Sequence, residues 1–238
     1  MRVKGMIMKT GPLMILALLF LSHAGGAATR AGPGDFELRC ERDMHAQIVV
    51  RTQLEGYRVN NTVGSARLSN RSAHAYASEL LLGLTSVDAR SEVDFDAPSL
   101  SDVAGARECV APSVSVTLVL PPLDVYVARE FKPTTCAYRE ILNHELRHVQ
   151  IYRDALPRLE QDIRTALTAR FGAGPVYAAP GQGIRALEHE IDDWLRPMIR
   201  AGLHRIELAQ AAIDTDEEDF RLSHACHGEV ALRIGSIL

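Results

Sequence analysis

The 238-residue chain has no strong charge imbalance, its formal net charge being -4. That removes the electrostatic reason to expect a nucleic-acid partner, whose phosphates are met by clustered Lys and Arg. No block of like charges marks an interaction tail. Beyond residue 28 no apolar run approaches the roughly 20 residues that span a bilayer. There is no internal repeat, which argues against a solenoid or propeller, and no low-complexity block. No prosegment is evident. Cysteine is scarce, at four residues. What remains is 47% hydrophobic and 24% charged, the ordinary balance of a globular domain with room for a proper core.

The first residues stand apart from that balance. Lys4 and Lys9 precede the apolar run Pro12–Leu21, and small residues follow in Ser22–Ala28. Charged, apolar and small residues in that order make a secretory signal peptide, expected over residues 1–28 with cleavage between Ala24 and Ala28. A Gly/Pro/Ala linker over 29–34 then leads to a single domain over 35–238. The expected location is exported, periplasmic or secreted.

All four cysteines, Cys40, Cys109, Cys136 and Cys226, fall in the mature part. In an exported chain an even number reads as two disulfides, with three possible connectivities. Ser113–Leu120 alternates and Asp124–Phe131 is strand-like, with Pro121-Pro122 between them blocking continuation. A β-hairpin there would bring Cys109 and Cys136 together across its base. This favours Cys109–Cys136, leaving Cys40–Cys226 to join the ends. Ala46–Thr52 reads as a further strand, Ala73–Leu84 as strand or short helix, and Asp88–Pro112 as mostly loop. From Ala137 the pattern turns helical. One helical stretch runs to Phe171, kinked or divided at Pro157, and another runs from Ile184 to about Ala212, interrupted or bent near Pro197. A last helix starts after Thr215, which has the capping-box spacing to Glu218. The expected class is α+β: a strand-rich N-terminal half with its hairpin packed on a helical C-terminal half.

The chemistry concentrates in Asn143–Gln150, NHELRHVQ. On a helix His144 and His148 lie one turn apart on one face, where two imidazoles can bind one zinc ion. Glu145 is placed beside the metal without ligating it. Zinc lowers the pKa of water, and a neighbouring carboxylate takes the proton as general base. This is the physical content of an HExxH motif. Tyr138 and Tyr152 flank the motif at helical spacing, as packing residues or hydrogen-bond donors to an oxyanion. Arg147 and Arg153 read as solvent-facing. His224, Cys226 and His227 could bind metal, but export favours a disulfide at Cys226.

The wider stretch TTCAYREILNHELRHVQIYRDAL resembles a group of bacterial secreted or periplasmic proteins regarded as zinc-dependent proteases, the DUF922-like group. The shared features are Cys136, Tyr138 two residues on, and the helix with His144–Val149. AQAAIDTDEEDFRLSHAC, ending at Cys226, is similar to that group's second block. The resemblance covers the C-terminal half, and the preceding hairpin loosely. It implies an exported zincin-like metallopeptidase with Zn2+ as cofactor and a peptide or protein as substrate. A catalytic zinc needs a third protein ligand. Glu207 is favoured, because it shares a polar stripe with Gln210 and Asp214 on an apolar helix. Glu188, followed by Asp192, fits the spacing of the gluzincin third ligand. Asp214 is a cap, an orienter of a histidine, or itself a ligand. Asp154 has the metzincin spacing, but Ile151 stands where that pattern has the turn glycine. The competing expectations are a non-enzymatic envelope interaction protein, its metal structural or absent, and an amidase acting on cell-wall peptides.

Overall fold

The computed structural model describes residues 34–71 and 80–235. The expected signal segment, all of the linker but Gly34, and most of Ala73–Leu84 lie outside these. The chain is α+β, with nearly all strands in the N-terminal half and the long helices in the C-terminal half. The strands are β1 (Gln47–Leu54), β2 (Tyr57–Asn60), β3 (Gly83–Ser86), β4 (Arg90–Asp96), β5 (Ser99–Asp102), β6 (Arg107–Val110), β7 (Ser113–Leu120), β8 (Leu123–Val127) and β9 (Val176–Ala178). The helices are α1 (Asp35–Asp43), α2 (Ser65–Ser69), α3 (Cys136–Phe171), α4 (Gly183–Glu190), α5 (Arg196–Ala211) and α6 (Asp216–Gly235), with a π-helical turn at Ile191–Leu195 before α5.

The expected hairpin between β7 and β8 does not form. β7 lies between β1 and β4, and β8 between β2 and β3. Both run parallel to their first neighbour, with an unchanged offset of 66 residues: Arg51 lies opposite Thr117, and Arg58 opposite Asp124. The chain therefore keeps its direction through Pro121-Pro122. The partner strand bows with it at Glu55-Gly56. There the Glu55 N–H donates to Leu120 (3.0 Å) and the Leu123 N–H donates to Gly56 (3.0 Å). The two prolines lack N–H groups, so the joint leaves no donor to satisfy. β8 is consequently an inner strand. β3, antiparallel to β8, lies beside the HExxH helix at Thr85, whose hydroxyl donates to Glu145 Oε2 at 2.8 Å.

The expected loop over Asp88–Pro112 also contains three strands. β4 alternates Val93 and Phe95, partly buried, with exposed Glu92, Asp94 and Asp96, the period of a half-buried strand. β5, β6 and β9 form a separate antiparallel sheet. Cys109 on β6 bonds to Cys40 of α1, not to Cys136, and Cys136 bonds to Cys226. The expected pairing fails with the hairpin. Cys109 sits on β6, away from the start of α3, where Cys136 opens the helix.

α3 is one continuous helix of 36 residues. Thr135 caps it by accepting the Tyr138 N–H at 3.2 Å. Its buried stripe runs Val149, Tyr152, Leu156, Leu159, Ile163, Leu167 and Phe171, packed against Val114, Val116, Leu118 and Leu120 of the sheet. Pro157 neither divides nor ends it, because Pro157 is exposed and the apolar stripe continues past it. α5 crosses α3 closely at Gly202, where a Cβ would lie 2.3 Å from Leu159 Cδ1. The π turn falls just before Pro197 in the first turn of α5. A wider turn there relieves the clash of the proline ring with the preceding carbonyls.

Candidate metal centre

α3 presents His144 and His148 at the same face, both about nine-tenths buried. The loop between α5 and α6 supplies the third group. His144 Nε2 and His148 Nε2 are 3.3 Å apart, and Asp214 Oδ1 lies 3.1 Å from the first and 3.0 Å from the second. These three are the described His, Cys, Asp and Glu residues whose donor atoms converge as a group that could hold a metal ion. Ligands about 2.0–2.1 Å from a tetrahedral zinc stand about 3.3 Å from one another. The observed separations, 3.0 to 3.3 Å, fit that triangle.

Electrostatics tell the same story. Burial opposes the charged form of His144, but Asp214, Glu145 and Glu218 outweigh it and raise its pKa. Burial likewise opposes charge on His148, and Asp214, Gln210 and Glu145 raise it above the ordinary imidazole value. Asp214 is pushed up by its own partial burial, yet the two imidazoles hold it far below the usual carboxylate range. The cluster attracts positive charge, which protons or a metal ion can supply. Asp214 keeps a side-chain exposure of 55%, so the centre opens to solvent on its side.

Each histidine is held on its outer nitrogen. Glu218 of α6 lies 3.1 Å from His144 Nδ1, and Gln210 Oε1 lies 2.6 Å from His148 Nδ1. Thr215 caps α6 by accepting the Glu218 N–H at 3.2 Å. The Glu218 carboxylate turns instead to His144, Arg147 and Arg221. Its hydrogen bond from Arg221, aided by His144 and Arg147 against its own burial, holds its pKa down at about 2. Arg147, expected to face solvent, thus ion-pairs with Glu218, and its guanidinium lies 2.7 Å from His144 Nδ1.

Glu145 is 5% exposed and sits under β3. Thr85 donates to its Oε2 at 2.8 Å. A Cβ at Gly83 would meet Glu145 Oε1 at 2.3 Å, so the carboxylate occupies space that only glycine leaves. Burial pushes Glu145 up, against Thr85 and the two histidines. A carboxyl tuned upward is suited to accepting a proton near neutral pH.

The other candidates for third ligand are elsewhere. Glu207 is exposed and pairs with His204 at 3.2 Å. Ile206 and Gln210, one turn apart on α5, point towards α3, and Glu207 lies about 100° round the helix from Ile206. Glu188 is exposed on α4, and Asp192 pairs with Arg196 at 2.9 Å. Asp154 is exposed and accepts from Gln150 at 2.8 Å; α3 continues unbroken past it, so it cannot swing back. Tyr138 and Tyr152 are core residues. Cys226 is in a disulfide, and His224 stacks on Phe220. Sequence reasoning missed Gly83 and Thr85, which have no local signature, and read Glu218 only as a helix cap.

No protein-family model, curated protein or solved structure gives a match to this chain.

Proposed function

We propose that this chain is an exported zinc-dependent hydrolase, a metallopeptidase of the zincin kind. The observation that carries the reading is the convergence of His144, His148 and Asp214 beside a buried Glu145. Three protein ligands with an open side are the arrangement of a catalytic zinc rather than a closed structural one. A zinc held there would polarise a substrate carbonyl and make water easier to deprotonate. Glu145 would take that proton and return it to the leaving amine. Thr85 would hold the carboxylate in place, and Asp214 would complete the ligand set that the HExxH helix begins. The likeness of the two sequence blocks to secreted zinc-dependent proteases points the same way. So do the signal-like N-terminus and two disulfides, which are compatible with export. Among the described residues no helix is long and apolar enough to cross a membrane.

The test is equilibrium zinc binding by the purified mature chain, followed by hydrolysis of a protein and a mixed-peptide substrate. One zinc per chain is expected, with cleavage stopped by a chelator and restored by zinc. Glu145→Gln should keep the zinc and lose about 10²-fold or more in rate. A chain that takes up no zinc after loading would sink the reading.

A further inference from the structure

We propose that Gln210 is a positioning residue that fixes the tautomer of His148 and thereby aims its Nε2 lone pair into the metal centre. This rests on the zinc reading above.

Gln210 touches His148 twice. Its Nε2 donates to the backbone carbonyl of His148 at 3.1 Å, and its Oε1 lies 2.6 Å from His148 Nδ1. The first contact settles the second. A carbonyl oxygen can only accept, so the Gln210 amide nitrogen must be the group facing it. The amide oxygen is then the group facing the ring, and an amide oxygen can only accept. His148 Nδ1 must therefore carry the hydrogen. That leaves Nε2, the atom that meets Asp214 and His144, as the nitrogen whose lone pair a metal ion would take; without metal, Asp214 Oδ1 at 3.0 Å is an acceptor too and competes for a hydrogen there. A flipped amide would set its oxygen against the His148 carbonyl, two acceptors facing each other. The clamp therefore has a single low-energy orientation.

The backbone explains why Gln210 can do this. It lies in the last turn of α5, one turn beyond the buried Ile206, so its side chain points at α3. Four residues later the chain delivers Asp214 to the same imidazole. The turn between them is tied by the Ile213 N–H to Gln210 (3.2 Å) and the Asp214 N–H to Ala211 (3.3 Å). One short segment thus supplies both the group that orients His148 and the carboxylate that shares its nitrogen. His144 is held by a carboxylate, Glu218, and His148 by a neutral amide. The amide orients without adding charge beside Asp214.

The experiment uses the full mature chain. Histidine ring tautomers are read by nitrogen NMR on the zinc-loaded protein, where Nε2 no longer shares a hydrogen with Asp214, and zinc affinity is measured by competition with a chelator. Wild type should show His148 as the Nδ1–H form. Gln210→Leu should populate the Nε2–H form and weaken zinc about 10- to 100-fold, the usual cost of losing an outer-shell partner. Gln210→Glu keeps an acceptor for Nδ1 and should restore the tautomer and most of the affinity. Glu207→Ala, three residues earlier on the same helix, should change neither. An unchanged tautomer in Gln210→Leu overturns the proposal, as does a changed tautomer with unchanged zinc affinity. If Gln210→Leu does not fold, Gln210→Met and Gln210→Glu carry the same comparison. Wild type that binds no zinc overturns the metal reading itself, which a failure confined to the variants does not.

Discussion

Asp214, not Glu207, stands with His144 and His148 in the group that could hold a metal ion. Both are acidic and both follow the HExxH helix, and Glu207 has the better helical context. The difference is direction. Glu207 points from the side of α5 into solvent, whereas Asp214 lies in the turn that folds back over His144 and His148. Asp214→Ala should therefore abolish tight zinc binding, and Glu207→Ala should leave it intact; equal losses in a chelator competition would return Glu207 to the site. The cluster also sets a pH signature of opposite sign in the two states. Without metal, His144 and His148 titrate above their ordinary value because Asp214 and neighbouring carboxylates outweigh burial. A group raised on folding stabilises fully below its unfolded pKa, about 6.5 for imidazole, and the benefit fades as pH rises through the folded value. Metal binding needs neutral imidazoles, so zinc affinity should rise over the same interval. Thermal melts across that range should show metal-free stability falling with pH while the stabilisation added by zinc grows.

The pairing of β3 with α3 makes Glu145, the proposed general base, depend on a strand 60 residues away. Gly83 leaves the space that the Glu145 carboxylate fills, and Thr85 bonds to it. Gly83→Ala would put a methyl 2.3 Å from Glu145 Oε1 and 2.8 Å from its Cγ. The carboxylate must then move, while His144, His148 and Asp214 are untouched. The variant should bind zinc normally and lose hydrolysis on the order of 10²-fold, like removal of the base itself. A parallel loss of zinc would show that β3 supports the whole helix and not Glu145 alone. α6 shows a similar dependence from the other side. It breaks at Ala225–Gly228, where Cys226, His227 and Gly228 take left-handed conformations. For the two non-glycine residues that costs about 1–2 kcal/mol each. The break turns Val230 into the second core cluster and lets Glu229 accept the Ala137 N–H at 3.2 Å, at the start of α3. An acidic group there suits the helix N-terminus.

The two disulfides divide the molecule into a part that holds the site and a part that does not. Cys40–Cys109 is fully buried and fastens α1 to the small sheet of β5, β6 and β9. Cys136–Cys226 is partly exposed and fastens α6, which carries Glu218, to the first turn of α3. They close 69 and 90 residues of chain, so removing either should cost about 2–5 kcal/mol in denaturant unfolding. Only the Cys136→Ser/Cys226→Ser pair should also weaken zinc, because it frees α6 to move away from His144. If Cys40→Ser/Cys109→Ser weakens zinc equally while the chain remains folded, the two halves are not independent.

Several features were legible along the chain because they follow from local chemistry. The helix over His144–His148 follows from its apolar period, and the facing of its two imidazoles follows from 3.6 residues per turn. The start of α6 at Thr215 follows from capping, and the α+β order follows from where alternation gives way to helical period. Proline chemistry was local too, but its outcome was not. Two prolines do break a ladder, yet whether the chain reverses or continues depends on the strand beside it. Here β1 and β2 run parallel through the joint and carry β7 into β8 without reversal. The disulfide partners depended on that same choice, since thiols pair by proximity and not by position in the chain. Asp214, the Gly83 and Thr85 that surround Glu145, and the Gln210 and Glu218 that bond the two histidines lie about 60 to 74 residues from the motif. No periodicity links residues that far apart; the packing of α3 against the sheet, α5 and α6 brings them together.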